Sequence, residues 1–205
     1  MDRQSMTWIE TIKPEQAEGR LKQAYERVSG PHGQVDNIML AHSLRPHTLQ
    51  GHMVLYKNVL HHLSNTLPKA LLEALGVYVS LLNGCDYCVQ HHARGISRLL
   101  DDQGRADRIL EALAAADPGR VYEEKEALLF DYARTLTQRP NEVSKAQIEA
   151  LRAAGFDDGE ILEVNQVIAY FSYANRTVLG LGVSADGEEL GLSPGSSDSE
   201  DWGHG

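Results

Sequence analysis

Cys85 and Cys88 are the only cysteines in the chain, and they stand in Asn83-Gly84-Cys85-Asp86-Tyr87-Cys88-Val89-Gln90-His91-His92. A Cys-x-x-Cys directly after a glycine reads as a helix start. There the helix N-terminus favours a thiolate, and the second sulfur is close enough to close a disulfide. The pattern therefore points to dithiol chemistry. The bland alternative, two buried thiols acting as small hydrophobes, accounts for neither the spacing nor the histidines that follow.

The preceding segment, Leu71-Leu72-Glu73-Ala74-Leu75-Gly76-Val77-Tyr78-Val79, is apolar apart from Glu73. A lone carboxylate on such a helix is costly to bury without a partner. If the chain reverses at Gly84, Glu73 lies 11 residues before the pivot and His92 lies 8 after it. That mismatch is about 5 Å of helix rise, within side-chain reach. On the second helix Cys85 and Cys88 are i,i+3, and Cys88 and His92 are i,i+4, so the three share one face. His92 can take the proton of Cys88, directly or through a water, while Glu73 orients the imidazole and raises its basicity. Attack of Cys88 on a peroxide gives a sulfenic acid, which Cys85 resolves as a disulfide. Glu73, Cys85, Cys88 and His92 are thus the expected catalytic set, with Tyr87 and His91 as auxiliaries.

Other readings of the same residues stay open. Cys85, Cys88, His91 and His92 look like four zinc ligands, but one short helix cannot wrap them round a single ion; His61-His62 would have to supply a second segment. His91 is turned about 100° from the Cys88–His92 face and reads as a surface or interface histidine. His61 and His62 read as a helix end, placed well against the dipole. Tyr170, Phe171 and Tyr173 read as core or subunit-interface packing, and Asn175-Arg176 as pocket entrance or plain surface.

The elements that must position these residues are helical. The periodicity predicts helices over Pro14–Val28, Asn37–Ser43, Pro46–His62, Pro68–Leu82, Cys85–Leu100, Gly104–Ala114, Glu123–Thr137, Ser144–Ala154 and Asp158–Leu179, with Ser144 and Asp157 or Asp158 as N-caps. Ser29–Gln34, with Gly30, Pro31 and Gly33, is a loop. Strand signals are thin, so the fold class is all-α. The expected organisation is an N-terminal helix and loop over 1–35, a helical core over 36–184 and an acidic, disordered tail over 185–205. The 205 residues, 42% of them hydrophobic, suffice for one domain with a real core. Net charge is -10, and the tail's Asp186, Glu188, Glu189, Asp198, Glu200 and Asp201 account for most of it. That balance argues against a nucleic-acid partner. No apolar run is long enough for a membrane span, and Met1–Ser5 opens no apolar leader, which together with two thiols suggests the cytoplasm.

The spacing Glu73-x11-Cys85-x2-Cys88-x3-His92 resembles the active-site pattern of the alkylhydroperoxidase D-like group in the carboxymuconolactone decarboxylase superfamily. The stretch Tyr170-Phe171-Ser172-Tyr173-Ala174-Asn175-Arg176 through Leu181-Gly182-Val183 resembles the last core helix of its peroxidase-related branch. The resemblance spans roughly residues 35–183. It implies an all-α bundle with a Cys-x-x-Cys hairpin, and a homo-oligomer (dimer, trimer or hexamer). It also implies peroxide reduction with electrons from a thiol or protein reductant, and no metal or organic cofactor. Cys88 resembles the cysteine that becomes the sulfenic acid, Cys85 its resolving and proton-donating partner, and Glu73 and His92 the relay. Where well-studied members carry a His just before the second cysteine, this chain has Tyr87. The rivals are a decarboxylase or lactone-processing enzyme on the same fold, and a redox-sensing protein without catalysis.

Overall fold

The computed structural model describes residues 6–30 and 32–191. Among them the α-helices are α1 (Gly19–Val28), α2 (Asn37–Ala41), α3 (Pro46–Tyr56), α4 (Lys69–Asn83), α5 (Asp86–Leu100), α6 (Gln103–Ala114), α7 (Glu124–Gln138), α8 (Lys145–Ala153) and α9 (Asp158–Leu181), and there is no strand. The all-α expectation holds. No described helix is long and apolar enough to cross a membrane.

The centre of the bundle is α4, buried continuously from Leu71 to Ser80. A helix that is apolar on every side must be surrounded, and α4 packs against α5, α6, α7 and α9. One contact with α9 is especially tight. A Cβ on Gly76 would lie 2.2 Å from the Phe171 ring, so only a glycine lets the two helices meet there. Gly76→Ala should cost about 1–3 kcal/mol by overpacking. A lowered midpoint of thermal unfolding checks it, and an unchanged one would mean that Phe171 moves aside freely.

The α4–α5 hairpin forms as the sequence suggests, for a local reason. Gly84 adopts φ 69, the left-handed conformation that favours glycine. Its N–H donates to the Leu81 carbonyl at 3.1 Å, and the Cys85 N–H donates to the Ser80 carbonyl at 2.9 Å. This Schellman-type closure leaves Cys85 as the N-cap of α5 with no intervening loop. At the other end of the chain, Asp157 rather than Asp158 caps α9, accepting from the Glu160 N–H at 2.8 Å. Ser144 caps α8 as expected.

Three expectations need correction. The helix expected over Pro14–Val28 is interrupted: Pro14–Gln16 forms a 3-10 turn, Ala17 is extended, and Gly19 at φ 52 restarts the chain as α1. The helix expected over Pro46–His62 ends at Tyr56 and continues as a π-helical turn, Lys57–His61, which turns His61 inward. Such turns insert a residue into the helical ladder and often mark functional positions. The third concerns the tail. Residues 185–191 are not disordered: the Asn37 side chain donates to the carbonyls of Ser184 and Asp186 at 2.7 and 3.3 Å, and Gly191 lies against Arg94. Composition points the other way, but these acids meet polar partners on the core. Residues 192–205, the rest of the expected tail, lie outside the described residues, as do Met1–Ser5.

Candidate active site

Glu73, on α4, faces α5 and is 2% exposed. Gly95 on α5 lies beside it: a Cβ there would sit 3.5 Å from the carboxyl carbon, in ordinary van der Waals contact. The His92 Nδ1 lies 2.7 Å from Glu73 Oε2. A carboxylate accepts the Nδ1–H, which leaves Nε2 as the basic nitrogen. The other carboxylate oxygen lies 4.0 Å from His61 Nε2. This second histidine is expected at a regular helix end; the π-helical turn brings it in instead. The Phe171 ring backs His92 edge-on with 4.5 Å between ring centroids.

The two cysteines are free, with Sγ atoms 2.9 Å apart. That is a hydrogen-bonding contact, well beyond the roughly 2.05 Å of a disulfide. The pair shares a proton. Cys85 is held below the ordinary thiol value, chiefly by the hydrogen bond with Cys88, and the Cys88 backbone N–H reinforces this. Cys88 is pushed well above it by the same bond and by burial. The two directions favour the anion on Cys85 over Cys88, through the hydrogen bond between them, and Cys85 is also the N-cap of α5. A proton shift across the 2.9 Å contact exchanges the two states.

Behind the sulfurs stands Asn175, fully buried on α9. It donates to Ser80 Oγ at 3.0 Å and accepts from Asn83 Nδ2 at 2.9 Å. Its amide also contributes to lowering both thiols. The residue expected at a pocket entrance is thus the back wall of the dithiol. Arg176, by contrast, is on the surface, bonded to the Ser172 carbonyl.

Cys88, Glu73, His92, Tyr56 and Tyr170 line one cavity of about 50 Å³. The volume suits a few waters or a small peroxide. Cys85 lies deeper and is wholly buried. Tyr170, expected only to pack, does so and also lines the cavity, whereas Tyr173 is 40% exposed. Among the described residues no hydrogen bond joins Cys88 to His92 directly, so a relay between them needs a water or the substrate itself. The Tyr87 hydroxyl accepts from the Ile38 N–H at 3.2 Å.

His91 departs from expectation. It is 9% exposed, stacks on Tyr87 with 4.6 Å between centroids and lines the same cavity. Its Nε2 lies 2.8 Å from Glu188 Oε1. A helix with one buried face would leave His91 in solvent, but residues 185–191 cover a second face of α5. The four zinc candidates have separate partners: Cys85 and Cys88 contact each other, His92 engages Glu73, and His91 engages Glu188. Among the described residues no group of three or more His, Cys, Asp or Glu side chains is arranged to hold a metal ion.

Asp36 lies on the same wall. Burial first, then the Glu188 carboxylate, push its carboxyl up from 3.8 to about 6. A folded-state value raised above the unfolded one means that stability is full below pH 3.8 and falls as pH rises through 6. The contribution is up to about 3 kcal/mol. Asp36→Asn should remove that dependence, so the stability difference between the two proteins should change between pH 4 and 7 in denaturant titrations. A constant difference would refute it.

Residues 46–130 of the chain match the model of the carboxymuconolactone decarboxylase family, a span that holds all four expected catalytic residues. The alkylhydroperoxidase AhpD core of an uncharacterized peroxidase-related protein from Ralstonia eutropha JMP134 superposes with a TM-score of 0.76 at 22% identity, covering 89% of this chain and 94% of that one. An uncharacterized peroxidase-related protein from Silicibacter sp. TM1040 gives 0.72 at 20% identity, covering 91% and 95%. The debrominase Bmp8, in complex with 2,3,4-tribromopyrrole, gives 0.65 at 17% identity, covering 91% and 94%. No curated protein matches the sequence. The resemblance read from the Glu73–His92 spacing is borne out, and the fold is that of the alkylhydroperoxidase D-like proteins.

Proposed function

We propose that the protein is a thiol-dependent peroxidase that reduces hydrogen peroxide or a small organic hydroperoxide through Cys85 and Cys88. The observation that carries this reading is the 2.9 Å contact between two free sulfurs, one of which opens on a cavity shared with the Glu73–His92 pair. The Cys88 thiolate attacks the outer oxygen of the peroxide. The S–O bond forms, the O–O bond breaks, and the leaving alkoxide or hydroxide takes a proton. Cys85 then attacks the Cys88 sulfenic acid, closing the disulfide and releasing water. A thiol or protein reductant returns two electrons and two protons by exchange. Glu73 and His92 take up the proton that the dithiol loses, through a water or the substrate in the cavity.

A cavity of about 50 Å³ favours a small peroxide over a bulky aromatic such as the ligand of the debrominase. Leu162 and Tyr173, exposed on one face of α9 eleven residues apart, support a further part of the reading, that the protein is a homo-oligomer. The test is stopped-flow oxidation of the reduced protein by hydrogen peroxide and by an organic hydroperoxide, with free thiols counted before and after. Rapid loss of two thiols per chain is expected. Reaction no faster than that of a simple free thiol would overturn the reading and shift it to the decarboxylase-like or sensor alternatives.

A further inference from the structure

The cavity has two histidine–carboxylate pairs, and the mechanism above uses one. His92 pairs with Glu73. The second pair is that of His91, and its carboxylate comes from far along the chain: Glu188, in the segment that follows α9. Glu188 is fixed at both oxygens. Its Oε2 accepts from the Asn37 N–H at 2.6 Å, while Oε1 engages His91 at 2.8 Å. Neighbouring bonds hold the segment in place: Gln34 Nε2 donates to Glu189 Oε2 at 2.9 Å, and the Ser184 N–H donates to the Met6 carbonyl at 3.0 Å. Gly191 closes the cavity beside Arg94. A carboxylate so held orients an imidazole and stabilises its charged form.

We infer that His91 is the proton donor to the oxygen that leaves the peroxide, with Glu188 as its positioning residue, so that the C-terminal segment completes the active site. The inference rests on the peroxidase reading. Chemically it separates two proton transfers that the reaction requires. The proton of the dithiol is removed on the Glu73–His92 side. When the O–O bond breaks, the departing oxygen carries the electron pair of that bond and takes a proton from the His91 imidazolium, leaving as alcohol or water. His91 is then neutral and is recharged from the medium or from Asp36 on the same wall, whose carboxyl, held up to about 6 by burial and by Glu188, still carries some proton near neutral pH. Both histidines line the cavity that would hold the peroxide.

The test varies the leaving group. An alkoxide or hydroxide needs a proton in order to leave, whereas the carboxylate expelled from a peracid does not. Single-turnover oxidation of the full-length protein is measured with tert-butyl hydroperoxide, hydrogen peroxide and peracetic acid. His91→Gln should slow the two hydroperoxides about 100-fold, the size of a lost general acid, and peracetic acid far less. Glu188→Gln keeps an acceptor for the Asn37 N–H and should show the same selectivity to a smaller degree. Equal loss with all three oxidants in both variants would show that the pair is merely structural and would overturn the inference while leaving the peroxidase reading intact. No loss with any oxidant would also overturn it. Wild-type protein inert to all three would instead remove the peroxidase reading, and this inference with it.

Discussion

Cys88→Ser should lower the rate of peroxide-driven oxidation by at least about 1000-fold, the scale on which a lost nucleophile is felt. Serine is nearly isosteric, so the cavity and the Glu73–His92 pair should survive. Cys85 cannot substitute, because it is fully buried and does not line the cavity. The reciprocal variant behaves differently. Cys85→Ser removes the partner that shares the proton and resolves the sulfenic acid, so one thiol per chain should react, more slowly, and stop at a sulfenic acid that dimedone traps. Stopped-flow traces with thiol counts and intact mass distinguish the two. If Cys88→Ser still lost its remaining thiol at the wild-type rate, Cys85 would be the nucleophile, and the assignment of roles would have to be exchanged.

Glu73→Gln should slow the same reaction roughly 100-fold while leaving the fold in place. The amide fills the volume beside Gly95 but brings no charge to stabilise an imidazolium on His92. If its NH2 group turns toward Nδ1, the imidazole takes the other tautomer and Nε2 ceases to be a base. Stability should change little, since replacing a buried carboxylate by a neutral isostere also removes its desolvation cost. Activity and thermal midpoint must therefore separate: a large fall in rate with a small change in unfolding temperature. A matched fall in both would mean that Glu73 acts through packing. An unchanged rate would remove it from the chemistry.

The parts of the site that local spacing encodes are legible in the order of the residues alone. The cysteines announce themselves by a three-residue interval after a glycine. Glu73 stands out because it is the only acid on an apolar helix, and His92 follows from counting outward from Gly84. What escapes such reading depends on distance along the chain. Glu188 joins His91 across 97 residues, and nothing in the acidic composition around it distinguishes a clamped carboxylate from a solvated one. Asn175 joins Ser80 across 95 residues, and an Asn-Arg pair on an aromatic helix looks the same whether it faces sulfur or solvent. His61 escapes for a different reason: periodicity assumes a regular helix where the ladder takes an extra residue, and the direction of every later side chain in that segment depends on it. Gly19 is similar, since a break in the first helix is a matter of one φ angle. Helix type follows from periodicity, but where each helix stops is decided by contacts the periodicity does not contain.

In the proposed peroxide cycle, the depth of the dithiol would sort reactants by bulk. Cys85 is 0% and Cys88 4% exposed, and Cys88 opens on a cavity of about 50 Å³. A small oxidant fits such a cavity; the cysteine of a donor protein does not, while residues 185–191 stay in place. Oxidation and reduction would then draw on different shapes of the same molecule. Oxidation would proceed in the closed form, at a rate proportional to peroxide. Reopening the disulfide would wait for the cover or the first turn of α5 to lift, so turnover with a bulky donor would level off at the frequency of that excursion, however much donor is supplied. A compact dithiol would escape the ceiling. The same sorting would keep the sulfenic acid away from passing thiols until Cys85 has closed on it.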